Sequence, residues 1–147
     1  MRAYVYDLFS EYAANGTPVM QPMFYTFPAD LNCTAPGVVE DQFMFGPKLL
    51  VAPIYTNGTV DGVSGTARSV YLPALPAGET WTNVYTLKVH DAKAAQMLTV
   101  ESDRAAFPLF TRAAHPSEIF AGPTSPLPGF WAAAAKGRGS GAGRDEA

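Results

Sequence analysis

The chain has a single cysteine, Cys33, in 147 residues. No disulfide can form within it, and no zinc site built on several thiolates can be assembled. Histidine is nearly as rare, with only His90 and His115. They lie far apart, and neither has a metal-ligating partner at helical or strand spacing, so no metal site is expected. Charge is sparse: Asp, Glu, Lys and Arg make up 16% of the chain, against about 25% in a typical globular domain. Net charge is −3 and the basic residues are scattered, which argues against the basic face of a nucleic-acid binder. No run approaches the roughly 20 apolar residues of a membrane helix. "MRAYVYDLFSEY" places polar and acidic residues where a signal peptide carries its apolar segment. Neither nucleic acid, membrane nor cofactor is therefore expected as a partner.

What is present is apolar. Hydrophobic residues make up 48% of the chain, enough for one domain with a real core. A surface short of charge suits a protein that packs against more protein. Three of the four asparagines, Asn15, Asn32 and Asn57, stand in N-x-Thr sequons. That pattern accompanies a secretory route, although two of the three are Asn-Gly, which turns favour in any case.

Arg2 to Asn15 reads as a helix. Val5, Leu8, Phe9 and Tyr12 recur at i, i+3, i+4 and i+7. Asn15-Gly16 supplies a C-terminal stop and Pro18 forbids continuation. "PVMQPMFYTFP", from Pro18 to Pro28, is short, apolar and aromatic, and reads as a strand buried on both faces. Pro22 weakens it by removing a ladder donor. Val38 to Phe45 suits a short helix or turn, and Leu49 to Ile54 a strand ended by Pro53. From Thr56 onward short β-like runs alternate with turn signals. Asn57-Gly58, Asp61-Gly62 and Ser64-Gly65 mark a loop. Arg68–Pro73, Thr80–Val89, "QMLTVE" and "FPLFTR" mark strands, with a turn at "PAGE". Closely spaced short strands predict an antiparallel sandwich. "AAAAKGRGSGAGRDEA" is rich in Ala and Gly and reads as a disordered tail.

Chemistry finds little footing in these residues. No G-x-S-x-G elbow is present, and "GRGSGAG" lacks the strand and helix that a phosphate loop needs. "VHDAK", from Val89 to Lys93, reads as an exposed turn. Two carboxylates suffice for glycoside hydrolysis, but adjacent Glu40 and Asp41 diverge in a helix or strand and read as an exposed pair. Trp81, Asn83 and Tyr85 share one face of the expected strand. Such a face either joins the core or stacks on a sugar ring. Exposure of Trp81 and Tyr85 would make the sandwich a non-catalytic carbohydrate-binding or docking module.

Four blocks in order and register carry a resemblance: "NGTPVMQPMFYTFPAD", "DQFMFGPKLLVAPI", "SVYLP…GETWTNVYT" and "FPLFTR". Over residues 3 to 112 the chain resembles the C-terminal part of glycoside hydrolase family 31, the α-glucosidase and α-xylosidase family. The resemblance implies a mainly β fold: a C-terminal antiparallel β-sandwich preceded by the last helix and strand of a truncated (β/α)8 barrel. Arg2–Asn15 would be the last-but-one barrel helix and Val19–Phe27 the eighth barrel strand. Residues 1–46 would then be barrel remnant, 47–121 the proximal sandwich, and 122–147 the tail. The stretch from Asp41 to Gly46 would close off the barrel and Leu49 would start the sandwich, with Val51, Tyr71, Trp81 and Phe110 in its core.

The resemblance also implies retaining hydrolysis of α-glucosides or α-xylosides through two aspartates, one attacking the anomeric carbon and the other serving as acid and base. Their motifs, Trp-x-Asp-Met/Asn-Glu and Gly-Asp, are absent here, as is the sugar-binding Arg-x-His. No catalytic, substrate-binding or metal residue is therefore assigned. Both aspartates are expected upstream of Met1, on the barrel domain that would be this chain's main partner, and the chain alone is expected to be inactive. The pattern departs from the family at Gln21, where "PVMRP" carries Arg, and at "TRAAHPSEI", which lacks the usual glycine at Ala113 or Ala114.

Overall fold

A computed structural model describes residues 1–54, 59–60, 63–64, 67–101, 107–112 and 116–120. Asn57, His115 and the whole of 121–147 lie outside the described residues, and with them the third sequon, the second histidine and the expected tail.

Helix α1 spans Arg2–Asn15 and ends where Asn15-Gly16 predicts. Gly16 takes the left-handed conformation at φ 77°, and its N–H donates to Tyr12 O at 2.8 Å. Only Leu8 of the expected stripe is buried, while Phe9 and Tyr12 are exposed. The strand expected over Val19–Phe27 is shorter than its composition suggests. Strand β1 is Met20–Pro22, and a single helical turn, α2, follows at Met23–Thr26. Pro22 ends the ladder and stands at the N-cap of that turn. Met20, Phe24 and Tyr25 are exposed, so the segment is not buried on both faces.

Its pairing is also unlike that of a barrel strand. β1 runs antiparallel to β2, Phe43–Phe45, with Gln21 opposite Met44. β2 runs antiparallel to β3, Leu49–Val51. The expected helix or turn over Val38–Phe45 is thus a turn only as far as Asp41, and a strand thereafter. Gly46-Pro47 is the tip of the β2–β3 hairpin inside one sheet.

Strands β4 (Thr59–Val60) and β5 (Val63–Ser64) pair as a small hairpin where a loop was expected. β6 (Ala67–Leu72) pairs antiparallel with β9 (Gln96–Glu101) over six residues. β7 (Thr80–Asn83) and β8 (Val89–Asp91) form a hairpin where the sequence suggests one long strand. "VHDAK" accordingly begins as strand rather than turn. β10 (Leu109–Thr111) lies between β3 and β7. The larger sheet has the order β1-β2-β3-β10-β7-β8. A one-turn helix, α3, occupies Ser117–Phe120.

The core lies between the larger sheet and the β6–β9 ribbon. Met44, Leu50, Trp81 and Phe110 from the sheet meet Val70, Leu72, Leu98 and Val100 from the ribbon. Complete burial of each large side chain here stabilises by about 1.5–3 kcal/mol. A second cluster covers another part of the sheet, with Leu49, Val84 and Leu109 against Ile119 and Phe120 of α3. Val51, an expected core residue, is partly buried against this second cluster, whereas Tyr71, Trp81 and Phe110 belong to the first. The described residues are mainly β and antiparallel, in two facing layers. None of their helices is long and apolar enough to cross a membrane.

Candidate functional site

The sequence assigns no catalytic residue to this chain. Among the described residues no cluster of three or more His, Cys, Asp or Glu could hold a metal ion. Burial pushes the Cys33 thiol up to about 12, with the nearby Asp30 carboxylate adding to the shift. The thiol is therefore neutral and unreactive at ordinary pH. Asp91 moves in the direction opposite to a proton-donating acid. The backbone N–H and ammonium of Lys93 hold its carboxyl below the usual range. Glu40 is exposed and Asp41 half-buried, both in the turn before β2. The described role of Asp41 there is its carbonyl, which accepts from Arg68 Nη1 at 2.8 Å.

The aromatic pair expected to stack on a sugar does not form a platform. Trp81 is completely buried, and its indole N–H donates to Pro73 O at 2.8 Å. Phe27 packs against it with ring centroids 6.3 Å apart. β7 stops at Asn83, so Tyr85 sits in the turn beyond it, half-buried and edge-on to Phe107 at 6.3 Å. The Asn83 side chain makes that turn by accepting from the N–H groups of Tyr85 and Thr86 at 3.0 and 2.9 Å.

Two polar constellations fasten the loops to the sheet. Arg112 donates through Nε to Glu79 Oε2 at 2.8 Å, while its Nη2 lies 2.7 Å from the same oxygen. Its guanidinium also lies 5.9 Å from the centre of the Phe27 ring. In the second, the Tyr71 hydroxyl donates to Asp30 Oδ2 at 2.7 Å and accepts from Asn32 Nδ2 at 3.1 Å. Burial pushes the Tyr71 phenol up to about 12, and its hydrogen bond to Asp30 adds to that.

The third constellation is the seam at Gly46. The Tyr4 hydroxyl of α1 donates to Phe45 O at 2.7 Å and accepts from Lys48 N at 3.2 Å, bridging the hairpin tip. Burial pushes this phenol up to about 12. Leu8 sits directly above Gly46, whose φ of 59° is in the left-handed region. A Cβ there would overlap Leu8 Cδ2 and the Tyr4 hydroxyl, and would lie 2.9 Å from Leu8 Cδ1. Glycine is thus required twice, by conformation and by space. One face of α1 is held down by Tyr4 and Leu8. Tyr6, Phe9 and Tyr12, at 74%, 57% and 56% exposure, are left bare. Periodicity alone did not separate these exposed aromatics from the buried Leu8.

The described residues thus form an antiparallel β domain held to a leading helix through a glycine seam. Residues 16–115 match the family model of the glycosyl hydrolase family 31 C-terminal domain. The chain belongs to glycoside hydrolase family 31. It is 31% identical over 109 residues to an α-glucosidase of Aspergillus niger, covering 74% of this chain and 10% of that protein. It is 43% identical over 65 residues to an α-xylosidase of Emericella nidulans, covering 44% of this chain and 7% of that protein. Among solved structures it is similar to a family 31 α-xylosidase from a soil metagenome, complexed with xylose, with a TM-score of 0.64 and 30% identity. That match covers 80% of this chain and 15% of the other. The chain spans only about a tenth of the length of the α-glucosidase.

Proposed function

We propose that this chain is the C-terminal β-sandwich portion of a retaining α-glycosidase and is catalytically inert by itself. The parent enzyme hydrolyses terminal α-glucosyl or α-xylosyl residues, and its nucleophile and acid/base aspartates lie on a barrel outside these residues. The observation that carries this reading is the uneven burial of α1. Tyr4 and Leu8 lock it to the hairpin tip, while Tyr6, Phe9 and Tyr12 stay open to solvent. Exposed aromatics on a rigidly held helix suit a surface that another domain covers. The family match begins at Gly16, just after α1, which supports the helix, rather than β1, as the barrel's contribution. Residues 47–121 supply the sandwich, and 1–46 supply α1 together with the edge strands that seat it. The buried Trp81 removes the main support for a sugar-stacking module on β7.

The docking face has a direct test. In sedimentation velocity the isolated chain should self-associate as concentration rises. Replacing Phe9 and Tyr12 by Glu should restore a monomer without lowering the melting temperature. A native chain that is already a monodisperse, cooperatively melting monomer would remove the ground for the docking face.

A further inference from the structure

The groove beside the Tyr71 cluster is not used by the reading above. It is open, has a volume of about 710 Å³, and is bordered by the loop from Thr26 to Asn32 and by Tyr71, Ala74 and Ala95. That volume lies within the ~300–1,000 Å³ range of small-molecule sites. Its lining is part polar and part apolar. The polar lining is Asp30, Asn32 and Tyr71, and the exposed apolar lining is Pro28 and Leu31, the latter 82% exposed.

Counting hydrogen-bond capacity shows what remains for a ligand. Asp30 Oδ2 accepts from the Tyr71 hydroxyl, and Oδ1 accepts from Asn32 N at 3.1 Å. Each carboxylate oxygen keeps a further lone pair. Asn32 donates one amide hydrogen to Tyr71, and its other hydrogen and its carbonyl oxygen remain available. The open positions are therefore mostly acceptors, fixed in place because Tyr71 is only 5% exposed. The complementary ligand offers hydroxyl donors along one edge and C–H faces to Pro28 and Leu31. A metal ion suits the site poorly, since Asp30 is the only acid in the lining and no metal-holding cluster occurs among the described residues.

We infer that this groove is a saccharide-binding site that takes a neutral pyranosyl unit, with adjacent hydroxyls on Asp30 and Asn32 and the ring over Pro28 and Leu31. Sandwich-borne binding of this kind holds an oligosaccharide near an enzyme without taking part in bond cleavage. It is independent of where the catalytic aspartates lie, because every group involved belongs to this chain.

The probe is maltotriose, observed by saturation-transfer difference NMR against the full, unglycosylated chain at micromolar concentration. Saturable transfer with a millimolar dissociation constant is the expected result. Ala74→Trp places a bulky ring in the groove, leaves Asp30, Asn32 and Tyr71 themselves unaltered, and should weaken binding at least about tenfold, a loss of about 1.4 kcal/mol. Ala95→Arg provides a second, independent block, and circular dichroism reports whether each variant is folded. Absence of saturable transfer to the native chain overturns the site, as does undiminished binding in both folded blocking variants.

Discussion

Substitution of Gly46 by alanine probes the seam most sharply. The new methyl group meets Leu8 and the Tyr4 hydroxyl, so at least one of them must move. A non-glycine residue held at φ 59° costs about 1 kcal/mol before any contact is considered. Moving the Tyr4 hydroxyl forfeits its bonds to Phe45 O and Lys48 N, at about 1 kcal/mol each. Leu8 is 4% exposed, so displacing it sacrifices part of the roughly 1.5–3 kcal/mol that its burial supplies. The sum, about 3–4 kcal/mol, approaches what holds α1 to the domain, so the variant should release the helix before it unfolds the sandwich. Amide hydrogen exchange should show lost protection from Leu8 to Tyr12 with protection in β3, β7 and β10 largely retained. Gly16→Ala is the control. Gly16 also has positive φ, but nothing lies within 4 Å of the added atom, so only the conformational cost of about 1 kcal/mol applies. In a Tyr4→Phe background Gly46→Ala should cost less than in the native chain, because the overlapping hydroxyl is already gone. Equal costs for Gly46→Ala and Gly16→Ala, with unchanged exchange in α1, would refute the steric seam.

Two further outcomes follow from buried polar groups. His90 is held below its usual pKa by burial and then by the Lys88 ammonium. A histidine depressed in the folded state binds its proton more readily when unfolded, so its share of stability is present above about pH 6.5 and is lost as pH falls below that value. Urea midpoints at pH 7 and pH 5.5 should therefore differ less in His90→Phe than in the native chain; an unchanged difference would exclude His90 as a source. Gln21 is 4% exposed, donates to Pro18 O and accepts from Thr26 Oγ1, both at 2.9 Å. Gln21→Leu leaves both partners without it and should lower stability by about 1–3 kcal/mol in a denaturant titration, whereas a change within error would mean that water replaces both bonds.

Much of this architecture can be read from local signals. Asn15-Gly16-Thr17-Pro18 marks the end of α1 because glycine alone enters the left-handed region freely and proline cannot continue the helix. "RSVYLP" and "QMLTVE" are legible as strands, although their pairing with each other as a separate ribbon is a tertiary fact. The errors have physical causes. The β7–β8 turn contains neither Gly nor Pro, and Leu87 itself takes the positive φ of 58°. The turn signal was the Asn83 side chain, which composition hides inside a β-like run. Val19–Phe27 looked like one buried strand because apolar content does not reveal that Pro22 changes strand into helix. Periodicity placed Leu8 with Phe9 and Tyr12 on one stripe, but only the packing of Leu8 on Gly46 shows which side of α1 is occupied. The Asp30–Asn32–Tyr71 cluster joins residues about forty positions apart, and no local pattern anticipates it. Family membership was legible because four blocks kept their order and spacing along 110 residues.

The central claim is that the chemistry of this family resides outside these 147 residues. Purified chain incubated with 4-nitrophenyl α-glucoside and 4-nitrophenyl α-xyloside measures it directly. Release of nitrophenol at the rate of the protein-free blank is the predicted result. Turnover that scales with chain concentration and is lost on heat denaturation would contradict it, and would place a working pair of carboxylates within this chain.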